Sequence, residues 1–147
     1  MTGADGLLGS NLVRLLLKNQ HKVSVLLHPS SKSKTLDGLD IEKFEGDILK
    51  PETLEKGISG QDAIIHAAAN TSVWPARSEI VNKVNIDGTK NMLATSIKQS
   101  VKRFVYIGSG SSVNTPASEK SPYAFPGQKF GLDYIDSKHT ALNLVMD

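Results

Sequence analysis

Eight residues at the head of the chain, Thr2-Gly3-Ala4-Asp5-Gly6-Leu7-Leu8-Gly9, limit its possible folds more than any other stretch. Three glycines at spacings of three, followed at once by a leucine-rich helical pattern, read as a turn that opens a helix. At such a turn Gly3 permits a tight backbone, Gly6 lets backbone approach a pyrophosphate, and Gly9 lets the helix pack closely on a sheet. The free N–H groups at the start of the following helix would then face the anion with the positive end of its dipole behind them, and Leu7, Leu8 and Gly9 are counted with the cofactor loop. An ordinary turn fits the same letters, so the weight comes from what lies downstream. A cradle of this kind ends a first strand, and only Met1 precedes it here. The expectation is a gap at the centre of the sheet, leaving neighbouring backbone groups unpaired at about 1–3 kcal/mol each.

Beyond the glycines, helical and strand periodicities alternate. A helix is expected over 11–18, with Leu12, Leu15 and Leu16 on one face. Strands are expected over 22–28, 41–45, 62–67 and 103–107. Between them fall a brief helix after Pro51, running to about Lys56, and a long one over 77–99 with Gly88 as its weak point. A proline-bearing loop over 115–128 leads to a last helix from about Phe130 to the end. This alternation predicts an α/β fold, a doubly wound parallel sheet with helices on both faces, forming one domain over 1–147.

Composition removes several classes. A net charge of +2 is too small to argue for nucleic acid or an anionic membrane. The absence of cysteine excludes disulfides, iron–sulfur clusters and thiolate zinc. No apolar run is long enough to span a bilayer and no leader pattern is visible, so a cytoplasmic location is expected. His28 has no second ligand at helical or hairpin spacing, so no metal site is expected.

The window 27–34 is where a dinucleotide fold usually carries an acid for the adenosine ribose. It holds none, offering instead His28, Ser31, Lys32 and further serine and lysine. Hydroxyls and ammonium groups suit a phosphate dianion, which favours NADP(H) over NAD(H); a solvated lysine-rich loop is the alternative. Asp47 with Ile48, after the third expected element, could meet an adenine amine or serve only as a turn residue. Ala67, Ala68 and Ala69 end a strand with side chains small enough for backbone to pass close to a nucleotide.

Tyr134 and Lys138 stand four apart on the last helix and so share a face. A neighbouring ammonium favours the phenolate and brings a tyrosine toward acid–base work near neutral pH. Ser109, after the last strand, can hydrogen-bond a carbonyl or alkoxide oxygen, and with Tyr134 on the same oxygen hydride transfer becomes feasible.

In this order the motifs resemble the extended short-chain dehydrogenase/reductase family, the NAD-dependent epimerase/dehydratase-like proteins. The resemblance covers essentially the whole chain. Thr2-Gly3-x-x-Gly6-x-x-Gly9 is similar to the family's cofactor loop and Gly46-Asp47-Ile48 to its adenine contact. His66-Ala67-Ala68-Ala69, Val84-Asn85-Ile86-Asp87-Gly88-Thr89 and Arg103-Phe104-Val105-Tyr106 are similar to its later motifs. Trp74 and the bare end of the second expected element look closest to dihydroflavonol-reductase-like members and sugar epimerases.

The resemblance implies Ser109, Tyr134 and Lys138 as a catalytic triad, with Tyr134 and Lys138 also touching the cofactor. It further implies a small-molecule carbonyl or alcohol substrate and a possible homodimer through the helices 77–99 and 130–145. It implies, too, a longer protein than this one, with a first strand and a C-terminal substrate lobe. Ile107-Gly108 departs from the hydroxyl pair common in relatives. The function expected is an NAD(P)-dependent oxidoreductase, a carbonyl reductase rather than a sugar-nucleotide epimerase or dehydratase. A non-catalytic NADP-binding sensor and an inactive truncated relative are the other readings.

Overall fold

The computed structural model describes residues 1–112 and 131–147. Helix α1 (Leu7–Lys18) is followed by β1 (Ser24–Leu27) and β2 (Glu42–Glu45). Next come a short α2 (Glu55–Ile58) and β3 (Ala63–His66). A helical rod then runs through α3 (Glu79–Asn82), one π turn (Lys83–Asp87) and α4 (Gly88–Lys98). Strand β4 (Arg103–Tyr106) and α5 (Asp133–Met146) complete the described elements. The expected loop over 115–128 lies outside the described residues. No described helix is long and apolar enough to cross a membrane.

β1 pairs with β2 and β3 with β4, both in parallel. The expected central gap is closed in part by two residues. Thr2 bridges Leu26 on one side and His66 on the other. Leu26 N donates to Met1 O (2.8 Å), Thr2 N to Ile65 O (3.0 Å) and Ala67 N to Thr2 O (3.3 Å). The order across the sheet is therefore β2, β1, Met1–Thr2, β3, β4. The backbone groups expected to stand unpaired at these positions are bonded, because two extended residues suffice to span both neighbours.

Pleating sends alternate residues of β1 to opposite faces. Val25 joins Ala4, Val13 and Leu36 under α1, whereas Leu26 joins Leu54, Ile58, Ile64 and Met92 beneath α2 and α4. Both faces of β1 are thus covered. Across β3 and β4 the face on the α1 side is more open, and Val105 is 39% exposed.

The largest difference from expectation is where the first helix begins. α1 begins at Leu7 rather than residue 11, and it buries Gly9, Ser10 and Val13 while Leu15 is 55% exposed. The glycines are part of the packed face, which rotates the buried stripe away from Leu15. At the first position of α5, Asp133 ties two helices together. Its carboxylate accepts Ser78 N–H (2.6 Å) at the start of α3 and Arg77 Nη1–H (2.9 Å). Those bonds, the backbone N–H first, hold its carboxyl below the usual range.

Candidate functional site

The glycine loop folds as a cradle because two of its three glycines have no room for a side chain. Gly3 has φ +65°, and a Cβ there would lie 2.6 Å from the backbone of Ala67 and Ala68. A Cβ on Gly9 would lie 2.0 Å from Gly3 O, so Gly9 packs on the loop itself rather than on the sheet at large. Gly6 is different: its Cβ would meet only Gly3 O at 3.4 Å, an ordinary contact. The first-turn N–H groups of α1 have no intrahelical partners, and no side chain caps them. They open on a groove of about 1010 Å³ lined by Gly3, Gly6, Leu7, Leu8 and Gly9 on one wall. Such a volume matches a large organic ligand.

The opposite walls come from strand ends. His28 follows β1, Asp47 and Ile48 follow β2, and Ala67, Ala68 and Ala69 follow β3; all line the groove. Asn70, Thr71, Ile80 and Val84 extend it, and sequence reasoning missed all four. Ile80 and Val84, four apart on the helical rod, carried a readable signal in their spacing. Ser31 and Lys32 do not line the groove. Ser31 lines a smaller hollow behind it, with its hydroxyl bonded to Asp5 Oδ2 (2.5 Å). Lys32 is exposed and lines neither. Of the residues named for a 2′-phosphate, His28 lines the groove, whereas Ser31 and Lys32 do not. Asp5, which does line the groove, was missed, although a single acid inside a glycine loop is visible in the sequence.

Beneath the cradle runs a buried polar chain. Thr89 Oγ1 donates to Asn85 O (2.7 Å), so it can only accept from His66 Nε2–H (3.1 Å). His66 Nδ1 then accepts from Thr2 Oγ1 (2.7 Å), whose oxygen also accepts Ala68 N–H (3.2 Å). Desolvation, aided by the charge of Lys138, lowers the His66 pKa to about 3, so the ring is neutral. The chain fixes the Ala67–Ala69 backbone against the helical rod.

Asn85, inside the π turn, is fully satisfied. Its Oδ1 accepts Asn70 N–H (2.8 Å), and its Nδ2 donates to Asn70 O and to Ser137 Oγ, both at 3.0 Å. One buried amide therefore holds a groove wall and α5 together. The π turn is what aims it, since an inserted residue redirects a side chain that regular helix would carry past.

On α5, Lys138 is 4% exposed. Its ammonium donates to Ile107 O (2.6 Å) and lies 4.3 Å from the centroid of Tyr106. Burial lowers its pKa to about 8. Tyr106, not singled out from the sequence, carries a buried hydroxyl with no hydrogen-bond partner among the described residues. Its phenol is pushed up by burial and secondarily by Tyr134. Ser109 follows Ile107 by two residues and its Oγ lies 2.7 Å from Ser111 Oγ. The structure thus brings α5 against the turn that carries Ser109. Among the described residues, none of Ser109, Tyr134 and Lys138 lines the glycine groove. No His, Asp or Glu cluster among the described residues could hold a metal.

The fold is shared with known proteins. The chain is 32% identical to a putative dihydroflavonol 4-reductase of Synechocystis, over 96% of this chain and 42% of that protein. The crystal structure of gox2253 superposes with a TM-score of 0.87 at 29% identity, covering 99% of this chain and 45% of that one. A short-chain dehydrogenase/reductase superfamily protein from Agrobacterium tumefaciens with bound NAD gives 0.76 at 27%, covering 98% and 42%. The chain therefore spans less than half the length of these relatives, and its fold is Rossmann-like. Residues 1–145 match the NAD dependent epimerase/dehydratase family, and to that family the chain belongs.

Proposed function

We propose that this chain is the dinucleotide-binding part of a nicotinamide-dependent oxidoreductase of the extended short-chain type, acting on a small-molecule carbonyl or alcohol. The observation that carries the reading is the cradle itself. Gly3 and Gly9 exclude any Cβ, and uncapped helical N–H groups open on a groove large enough for a dinucleotide. When bound, the nicotinamide would supply a hydride acceptor or donor. Gly6 and the first turn of α1 would hold the pyrophosphate. Asp47 and Ile48 would flank the adenine, and the alanines after β3 would let the backbone pass beside it.

Tyr134 would exchange a proton with the substrate oxygen, and Ser109 would orient that oxygen. Lys138, held by Ile107 O and the face of Tyr106, keeps a positive charge beside Ser109's turn and favours a tyrosinate nearby. The same groups would serve a sugar-nucleotide epimerase or dehydratase, a second reading supported by the family match. A homodimer through the helices 77–99 and 130–145 belongs to the same proposal.

Titration with the oxidised and reduced dinucleotides and turnover against aldehydes and ketones test it. Tyr134→Phe should lower turnover by about 10²- to 10⁴-fold and leave dinucleotide affinity nearly intact. A variant that kept the parent's rate would remove Tyr134 from the chemistry.

A further inference from the structure

Asp5 stands between the first two glycines of the cradle and lines the groove. Its Oδ2 accepts the Ser31 hydroxyl at 2.5 Å, and its backbone oxygen accepts Thr35 Oγ1 at 2.9 Å. The loop after β1 is thus tied to the cradle at two points, and the tie holds a carboxylate at the end of β1. Its Oδ1 has no hydrogen-bond partner among the described residues. The adenosine ribose of a dinucleotide is met at this end of the second strand position of such a sheet.

Of the cations near this end, Lys43 lines the hollow behind the groove, beside Glu45, but not the groove itself, and the others are turned elsewhere. Lys32 and Lys34 are exposed, and neither lines the groove or the hollow behind it. Arg14 donates Nη1 to Ser10 O (2.8 Å) and Nη2 to Thr35 O (2.7 Å). His28 is the basic group on the groove wall. Its Nδ1 lies 2.7 Å from Ser30 Oγ and its Nε2 4.0 Å from Asp47 Oδ2. The adenosine end therefore presents two carboxylates, Asp5 and Asp47, and one imidazole. A ribose hydroxyl can donate to a carboxylate oxygen, whereas a phosphate monoester in its place sets two anions against each other.

Resting on the reading of the groove as a dinucleotide site, we propose that Asp5, held by Ser31, selects the cofactor. It accepts the free ribose hydroxyl of NAD(H) and repels the 2′-phosphate of NADP(H). The acid absent from the end of the strand is supplied from inside the glycine loop. This reverses the preference that the histidine, serines and lysines of 28–34 suggest when the sequence is read alone.

Calorimetric titration of the full chain with NAD⁺ and NADP⁺ is the test. The unaltered protein should bind NAD⁺ at least about tenfold more tightly, the scale of one charge repelling a phosphate across a hydrated gap. Asp5→Asn keeps an acceptor for Ser31 and should narrow the ratio by about that factor. Raising ionic strength from about 0.05 M to about 0.5 M should narrow it in the unaltered protein, an arm that needs no variant to fold. Tighter binding of NADP⁺, or a ratio that neither Asp5→Asn nor salt moves, overturns the selection by Asp5 and leaves the dinucleotide site standing. Binding of neither nucleotide overturns the site itself, and the selection with it.

Discussion

Asn85 donates from its side-chain amide to Ser137 Oγ at 3.0 Å, joining the π turn of one helix to the middle of another, one turn from Tyr134. The same amide closes both backbone groups of Asn70. A single side chain thus registers α5 against the groove wall, and each contact is buried or partly buried.

Removing that amide should be costly. Asn85→Ala strands Asn70 N–H, Asn70 O and part of Ser137, a loss of about 3 kcal/mol. Urea unfolding measures it. A loss of only a few tenths of a kcal/mol would mean that water replaces the amide and that α5 is held by other contacts.

The glycines separate folding from binding. Gly9→Ala puts a methyl 2.0 Å from Gly3 O, backbone that cannot yield without moving the cradle, and should cost about 3 kcal/mol or more. Gly6→Ala meets nothing closer than 3.4 Å and should cost about 1 kcal/mol, mainly as a poorer helix cap. Its dinucleotide affinity should nevertheless fall, because the methyl occupies the groove. Thermal unfolding and nucleotide titration of the two variants check this, and unaltered affinity in Gly6→Ala would take the pyrophosphate off this loop.

Gly88 tests a wall at a distance. A methyl there would lie 2.5 Å from Ile48 Cδ1, and Ile48 lines the groove. Alanine gains about 1 kcal/mol of helix propensity while pushing Ile48 toward the ligand. Gly88→Ala should therefore bind dinucleotide more weakly with little loss of stability. Calorimetry and urea unfolding on the same preparation separate the two effects.

His66 should not titrate in the folded protein above pH 4. Its pKa is lowered from 6.5 to about 3, so between those values the unfolded chain binds the extra proton. Stability is fully present above pH 6.5 and is lost as pH falls toward 3, by about tenfold in the folding constant per pH unit. Nuclear magnetic resonance should show the Nε2–H tautomer, with a shift constant from pH 8 to 4. A midpoint near 6.5 would show water reaching the ring. His66→Gln should flatten the acid limb of the stability curve.

Much of this was legible in the order of residues. Alternating apolar periods with glycine and proline breaks marked the four described strands and the helices around them. The residues after β1, β2 and β3, namely His28, Asp47 and Ala67–Ala69, line one groove because parallel strands place their carboxyl ends on one edge. Ser31 and Lys32 failed to join them, since a loop's contacts depend on what it folds against.

What the chain determined by itself is therefore local and periodic: which segments extend, which coil, and where a Cβ has no room. Only the tertiary structure decided the pairings between distant residues. It set Asp5 against Ser31, Asn85 against Asn70 and Ser137, Lys138 against Tyr106, and Met1 and Thr2 into the centre of the sheet. The reason is physical. Backbone preference acts over a few neighbouring residues, whereas a buried donor takes whatever acceptor packing brings within about 3 Å of it, and nothing in sequence distance encodes that choice.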